Sequence, residues 1–485
     1  MKKLRKFALA FVLVLIMGVS VLTGCSISLQ GMPDLNDAVT SNGGLAVQKG
    51  NYLYFVNGYV DATASNNEYG KADQGAIYRA KLTNNKITYD ESGNPENVEL
   101  VVPKVAGYKK TGLYIFGDYL YYSTPNTEPD RSTGNVDTKL LDFYKVKLNG
   151  TDNTFLFKTA TSSDNTQFAF YSIENVVYLV SYDSKNLVIV NCDTKASTQV
   201  ASDVSSVVMP QVEGYNRLNN TISQIESNIY YTRSAIDGEV NSGNVLAYVD
   251  IKTQKESVVK GLDLEATYTV KELSYAPSVS SVENNSYLLF TSNESGLELY
   301  YTASFNNNEL NFNENKPEVM TAKAQENVVY LYTNRTSTNV KEGLITTNSK
   351  KYLTVIDMEN EYKENATVYN ELGEITILKV IGSTVFYYDS NNMLYTYDLI
   401  SNTKLQLTTE GESYNFANEV KIDVCGSYVY IFKDYTGEAP EGEDGEKGSY
   451  LIRIEYLGNQ DYEDELVGKL LDIHTPKVEE ESEEK

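Results

Sequence analysis

The chain has no tryptophan, one histidine and three cysteines among 485 residues. The histidine, His474, lies in an acidic terminal stretch. Serine and cysteine nucleophiles need a neighbouring base, and histidine is the usual one. With none before position 474, such sites are excluded from the body, as are histidine-ligated metal centres. Two of the cysteines, Cys192 and Cys425, lie far apart in apolar, strand-like runs. Two thiols make no disulfide framework and are expected as buried, unpaired small hydrophobes. Basic residues are scarce as well, 41 Lys and Arg against 66 Asp and Glu, for a net charge of −25. Such a field excludes nucleic-acid binding through overall electrostatics. Carboxylate-only chemistry stays open, though no pair of acids stands out.

Long apolar runs are also missing, with one exception at 7–22. Lys2, Lys3, Arg5 and Lys6 precede it, and the small residues Thr23 and Gly24 follow. These are the three parts of a secretory signal. A membrane-spanning helix needs about 20 apolar residues, and this run is shorter. The sequence Leu22-Thr23-Gly24-Cys25 resembles the lipobox of bacterial lipoproteins. The resemblance implies that 1–24 is a signal peptide and that cleavage precedes Cys25. It also implies diacylglycerol on the Cys25 sulfur and a lipid-anchored life on the extracytoplasmic side of the cell membrane. Residues 25–42, with Gly31, Pro33 and Asn36, read as a lipidated polar spacer.

Tyrosine is abundant, at 40 residues. It favours strands, and its hydroxyl reaches a polar partner from a half-buried face. One pattern recurs along the body: a strand, a tight turn, a Tyr-rich strand, a polar loop, a third strand, a turn and a fourth strand. In the clearest copy Gly117-Asp118 precedes Tyr119-Leu120-Tyr121-Tyr122, and Phe143-Tyr144-Lys145-Val146-Lys147-Leu148 precedes Asn149-Gly150. Gly and Asn at such turns accept positive φ. Second strands are expected near Tyr52, Tyr119, Val176, Ile229, Tyr287, Leu344, Val385 and Tyr428. Their spacing averages about 50 residues, the period of four-stranded propeller blades. The fold class is therefore all-β, a β-propeller of four-stranded antiparallel blades over 43–468. Eight blades are expected, with seven as the alternative because the copy near Leu344 is degenerate. In the third strands, Tyr78, Ala80 and Leu82 alternate with Arg79 and Lys81, and Ile452, Ile454 and Tyr456 with Arg453 and Glu455. Period-two alternation predicts one buried and one wet face.

The Gly-Asp-Tyr-Leu-Tyr-Tyr strand and the Phe-Tyr-Lys-Val-Lys-Leu-Asn-Gly-Thr-Asp segment resemble blades of the low-density-lipoprotein-receptor-related type of propeller found in bacterial lipoproteins. Asn149-Gly150-Thr151-Asp152 matches the turn between that family's third and fourth strands. The resemblance is strongest in blades one, two, seven and eight, and it implies a fold and an envelope location, with no catalytic residue. The lack of tryptophan separates the chain from the Trp-bearing repeats of quinoprotein-like and WD40 propellers.

Long insertions fall between second and third strands, at 57–75, 123–139, 233–243 and 434–448. Gathered on one face, such loops mark the usual binding side. Tyr59, Tyr69, Arg131, Asp237 and Tyr435 lie in them and are the candidate binding residues. The acidic stretch 438–446 lacks the Asp/Asn spacing of a calcium loop, so no metal and no cofactor is expected. The tail at 469–485 reads as a disordered acidic end. The expected function is a membrane-tethered, non-enzymatic binding or scaffold module for a protein, peptide or envelope glycan. The alternatives are a carboxylate-dependent carbohydrate-active enzyme and an accessory or sensory subunit of a membrane complex.

Overall fold

The computed structural model describes residues 28–468 with internal breaks, the widest at 210–227, 277–284, 313–327, 332–342, 358–366 and 437–446. For 271–370 the description is of backbone strands alone. The leader, Cys25, His474 and the tail lie outside the described residues.

Every sheet among the described residues is an antiparallel meander in chain order, and there are eight in succession. They occupy 39–102, 114–160, 167–201, 204–258, 267–312, 328–369, 375–406 and 423–466. Each has four strands except sheet 1, where a short leading strand, Val39–Thr40, pairs with Ala46–Lys49. The second strands begin at Tyr52, Tyr119, Val176, Asn228, Asn285, Gly343, Thr384 and Tyr428. All eight lie within two residues of the positions expected from the repeat, the degenerate copy at Leu344 included. Among the described residues no helix is long and apolar enough to cross a membrane.

The tyrosines account for much of the packing. Tyr54, Tyr122, Tyr230, Tyr231, Tyr387 and Tyr430 are second-strand residues and fully buried. Directly opposed tyrosine pairs recur across the second and third strands: Tyr122 with Tyr144, Tyr230 with Tyr248, and Tyr387 with Tyr395. Their ring centroids lie 5.5 to 6.0 Å apart. Each such pair adds about 0.5–1.5 kcal/mol beyond the area it buries. Two of the hydroxyls find partners in turns: Tyr54 donates to the Leu148 carbonyl at 2.9 Å and Tyr122 to Asn153 Oδ1 at 2.9 Å.

The wet face expected on the third strands survives at the exposed Lys81 and Glu455 but is interrupted by two arginines. Arg79 and Arg453 are fully buried. At Arg79 the outer side of the strand meets the carbonyls of Gln30, Gly31 and Leu148 instead of water. The two sites are built alike. Arg79 stacks over the Tyr52 ring at 4.9 Å and donates through Nε to Glu99 at 2.9 Å. Arg453 stacks over the Tyr428 ring at 3.9 Å and donates through Nε to Glu465 at 2.8 Å. In each case the tyrosine opens the second strand and the acid stands opposite in the fourth. A buried guanidinium is tolerated because ring, carboxylate and carbonyls replace its water.

Neighbouring sheets are tied at their first strands. Leu113 ahead of sheet 2 exchanges backbone bonds with Gly43 and Gly44, and the Asn42 side chain brackets the Ile115 backbone. Ser206 in sheet 4 accepts from the Val270 amide in sheet 5 at 3.1 Å. At the other end of the chain, the Ala46 amide of sheet 1 donates to Asp423 Oδ2 of sheet 8 at 3.0 Å. The Cys425 thiol points at the Thr40 carbonyl at 3.7 Å. Sheet 8 thus packs directly on sheet 1. Gly44 permits the approach, since a Cβ there would collide with the Asp423 carboxylate.

Cys192 and Cys425 are free and buried, as their apolar surroundings predict. Burial pushes the Cys192 thiol up to about 12.

Candidate binding face

An antiparallel four-strand meander puts its first–second and third–fourth turns at one end. The second–third connection and the link to the next sheet emerge at the other. We call these the turn end and the loop end. Neighbouring sheets are aligned in this sense. At the turn end Lys49 reaches the Gly117 carbonyl of sheet 2 at 2.6 Å, and Lys252 of sheet 4 reaches Glu174 of sheet 3 at 2.6 Å. The first–second connections of sheets 5 and 6, at 277–284 and 332–342, lie outside the described residues. The third–fourth link of sheet 1, 82–97, is long.

At the loop end the 57–75 connection of sheet 1 is stitched to strand ends of sheets 8 and 2. The Tyr59 amide donates to Ser449 Oγ, and Gln74 Nε2 donates to the Tyr59 carbonyl at 2.6 Å. Gly58 rests against the Ser449 carbonyl with no room for a Cβ. Its φ of 75° is also one that glycine adopts without strain. On the other side, Asn67 is fully buried, donates to the Pro125 carbonyl at 2.7 Å and accepts from the Val105 amide at 2.7 Å. Side-chain amides and hydroxyls thus tie the sheet 1 connection to its neighbours, while Tyr59, Val60 and Ala62 pack on the core beneath it.

Beside that seam lies a group of four charges. Asp142 is buried and sits 3.3 Å from Lys158 Nζ, which also lies 3.6 Å from the exposed Glu128. Lys158 donates to Asn126 Oδ1 at 2.9 Å, and Lys104 reaches Thr127 Oγ1 at 3.3 Å. Burial raises the Asp142 carboxyl above its ordinary range and lowers the Lys104 ammonium below its own. Two cations match two acids, so the group is a neutral ion network at the root of the 126–139 loop. Among the described residues no cluster of His, Cys, Asp and Glu is arranged to grip a metal.

Sheet 4 carries a separate device. Arg233 ends its second strand, almost wholly buried, and makes two bonds each to Glu239 and Glu256. Glu239 in turn accepts the Ile236 amide at 3.0 Å. The loop is pinned at its base, and Ile236 stands 61 % exposed at its crest.

Of the five candidate loop residues, Tyr59 is half-buried in the seam and its hydroxyl donates to Asp61 Oδ1 at 2.7 Å. Tyr69 is half-buried in the same connection. Arg131 and Asp237 lie outside the described residues. Tyr435 is not in a loop: the second strand of sheet 8 runs Tyr428–Thr436 and pairs Tyr435 with Gly448. Strand pairing continues because Lys447–Glu455 supplies a full-length partner. The acidic stretch 438–446 lies outside the described residues. The structure therefore brings Tyr59 and Tyr69 into one connection and places Tyr435 on a neighbouring hairpin. Arg233 and Asp142 escaped notice in the sequence. Each opens or closes a loop in a strand position where charge is out of place, and that was the available signal.

No family model matches the chain, and no curated protein matches it. Among solved structures it is similar to apo AztD from Citrobacter koseri, at 7% identity and a TM-score of 0.40, over 86% of this chain and 95% of that one. It is similar to TolB from Acinetobacter baumannii at 12% identity and a TM-score of 0.28, over 72% and 83%. A chain of the nidogen/laminin complex matches at 8% identity and a TM-score of 0.26, over 68% and 88%. At scores of this size, ring closure, ligand and chemistry have to be argued from this chain's own residues.

Proposed function

We propose that this protein is an eight-bladed β-propeller, anchored to the extracytoplasmic side of a membrane through lipid on Cys25, that binds a protein, peptide or envelope glycan on its loop end without catalysing a reaction. The ring reading rests on the contact of the last sheet with the first through Asp423 and Ala46. The binding reading rests on one observation above all. The 57–75 connection of sheet 1 is held against strand ends of sheets 8 and 2 by side-chain amides and hydroxyls. Such a surface is preorganised, so little ordering entropy opposes binding. It exposes the hydroxyls of Thr63 and Ser65 and the charges of Asp61, Glu68, Lys71 and Asp73 beside the half-buried Tyr59 and Tyr69, groups that suit hydrogen-bonded peptide or sugar ligands.

Photocrosslinking tests this reading. A photoreactive residue is placed at Asn66 or Ile236 on the loop end, and at Asp118 or Lys195 on the turn end. In native membranes, one defined adduct from the loop-end positions and none from the turn-end positions is expected. Adducts from the turn end alone would overturn the reading.

A further inference from the structure

The segment expected as a free spacer is docked on the body from Leu29 onward. The Leu29 amide donates to the Asn149 carbonyl in the third–fourth turn of sheet 2 at 2.8 Å. Buried Arg79 donates to the Gln30 carbonyl at 2.7 Å and the Gly31 carbonyl at 2.8 Å. Gly31 has φ of 76° and meets the Tyr52 hydroxyl so closely that a Cβ would collide with it. Leu29 and Met32 pack on the core of sheet 1. Lys49 Nζ then donates to the Leu35 carbonyl at 3.1 Å and to Gly117 in the first–second turn of sheet 2. Residues 29–35 are a strap, and every anchor of that strap at a turn belongs to the turn end.

We infer that the turn end of sheets 8, 1 and 2 is the membrane-facing surface of this protein, seated on the lipid headgroup and upper acyl region. The inference rests on the proposed lipidation of Cys25. Four chain links separate Cys25 from Leu29, a reach of at most about 14 Å. The second and third strands of sheets 2 and 8 run seven to nine residues, and at roughly 3.3 Å per residue they set the loop end about 20–30 Å beyond the turn end. The slack is too short to bring the loop end down to the lipid. Two large apolar side chains stand ready at the turn end. Leu35 is 68 % exposed on the strap. Leu457 is 65 % exposed, one residue past Tyr456, whose amide bonds Ser427 in the first–second turn of sheet 8. In water such exposure has no return, whereas at a bilayer surface it does. Charge does not supply the attraction, because an acidic body is repelled by anionic lipid. The short tether does, and the loops then face outward to meet their ligand.

The absence of tryptophan makes the test clean. Single reporters L35W, L457W and I236W are introduced into the full lipidated protein and reconstituted in phosphatidylcholine vesicles with brominated acyl chains. Vesicle flotation of the same samples reports anchoring. Flotation with severalfold stronger quenching of L35W and L457W than of I236W is the expected result. Flotation with equal quenching, or with I236W quenched most, overturns the orientation and leaves the anchor standing. Failure to float removes the anchor and the orientation with it. A flexible insertion after Ile27 should keep flotation and lower quenching at Leu457. Undiminished quenching would contradict the short tether.

Discussion

The Asp423 carboxylate accepts the Ala46 amide at 3.0 Å, across 377 residues of chain. Its other oxygen lies 3.9 Å from Lys379 Nζ. One buried side chain thereby connects the first strands of sheets 7, 8 and 1. A sheet's first strand has an unpaired edge, and here the edge amide is capped by a neighbour instead of being left without a partner.

Replacing that carboxylate tests its share of stability. Asp423→Ala leaves the buried Ala46 amide without its acceptor and removes the carboxylate beside Lys379, and a loss of about 3–5 kcal/mol is expected. Asp423→Asn keeps an acceptor oxygen and should lose less. Gly44→Ala forces the carboxylate away and should resemble the alanine variant. Urea unfolding followed by tyrosine fluorescence measures all three, and equal stability of Asp423→Ala and wild type would refute the role.

The two buried arginines separate by function. Arg79→Ala should release the strap, so that the Leu29 amide exchanges freely and residues 29–38 become open to protease. Arg453→Ala should destabilise sheet 8 to a similar degree, about 3–5 kcal/mol, with the strap still protected. Arg79→Lys is expected to fail nearly as badly as alanine, because a point charge cannot serve Glu99 and two carbonyls in one plane. Hydrogen exchange resolved at 28–38 distinguishes the variants.

Acid should loosen the sheet 4 loop late. The hydrogen bonds from Arg233 hold the Glu239 carboxyl at about 2, below its ordinary value of 4.5. A depressed acid stabilises the fold fully above its unfolded value, and that contribution is lost as pH falls from about 4.5 toward 2. Exchange at the Ile236 amide should therefore stay slow at pH 5 and rise between pH 4 and 2. Glu239→Gln should exchange fast already at pH 7; a flat profile in both proteins would remove the clamp from the account.

Thiol chemistry gives a fourth expectation. Burial keeps the Cys192 thiol protonated near neutral pH, and Cys425 is buried as well. In a Cys25→Ser protein at pH 8, a thiol reagent should find neither until urea exposes both. Prompt reaction of the folded protein would contradict the packing.

The second-strand positions were legible because Tyr-rich alternation and Gly-Asn turns repeat at a steady period. Even the weak copy at Leu344 fell on a strand. What the alternation misjudged was Arg79 and Arg453. Period two separates faces, yet it says nothing about whether the second face is wet, and at Arg79 the 30–31 segment covers it. The polar composition of 25–42 suggested a spacer for a related reason. Its anchors are carbonyls and amides of the main chain, which composition does not report, and Arg79 that grips them is far away in sequence. Tyr435 was assigned to a loop because Gly, Glu and Asp at 437–446 mask where pairing ends.

The most direct measurement is the exchange rate of the Ala46 amide in the intact protein. A ring sealed between sheets 8 and 1 predicts protection as slow as that of interior strand amides, lost on Asp423→Ala. If Ala46 exchanges in the wild type like a solvent-facing edge amide, the eight sheets do not close and the account fails at its centre.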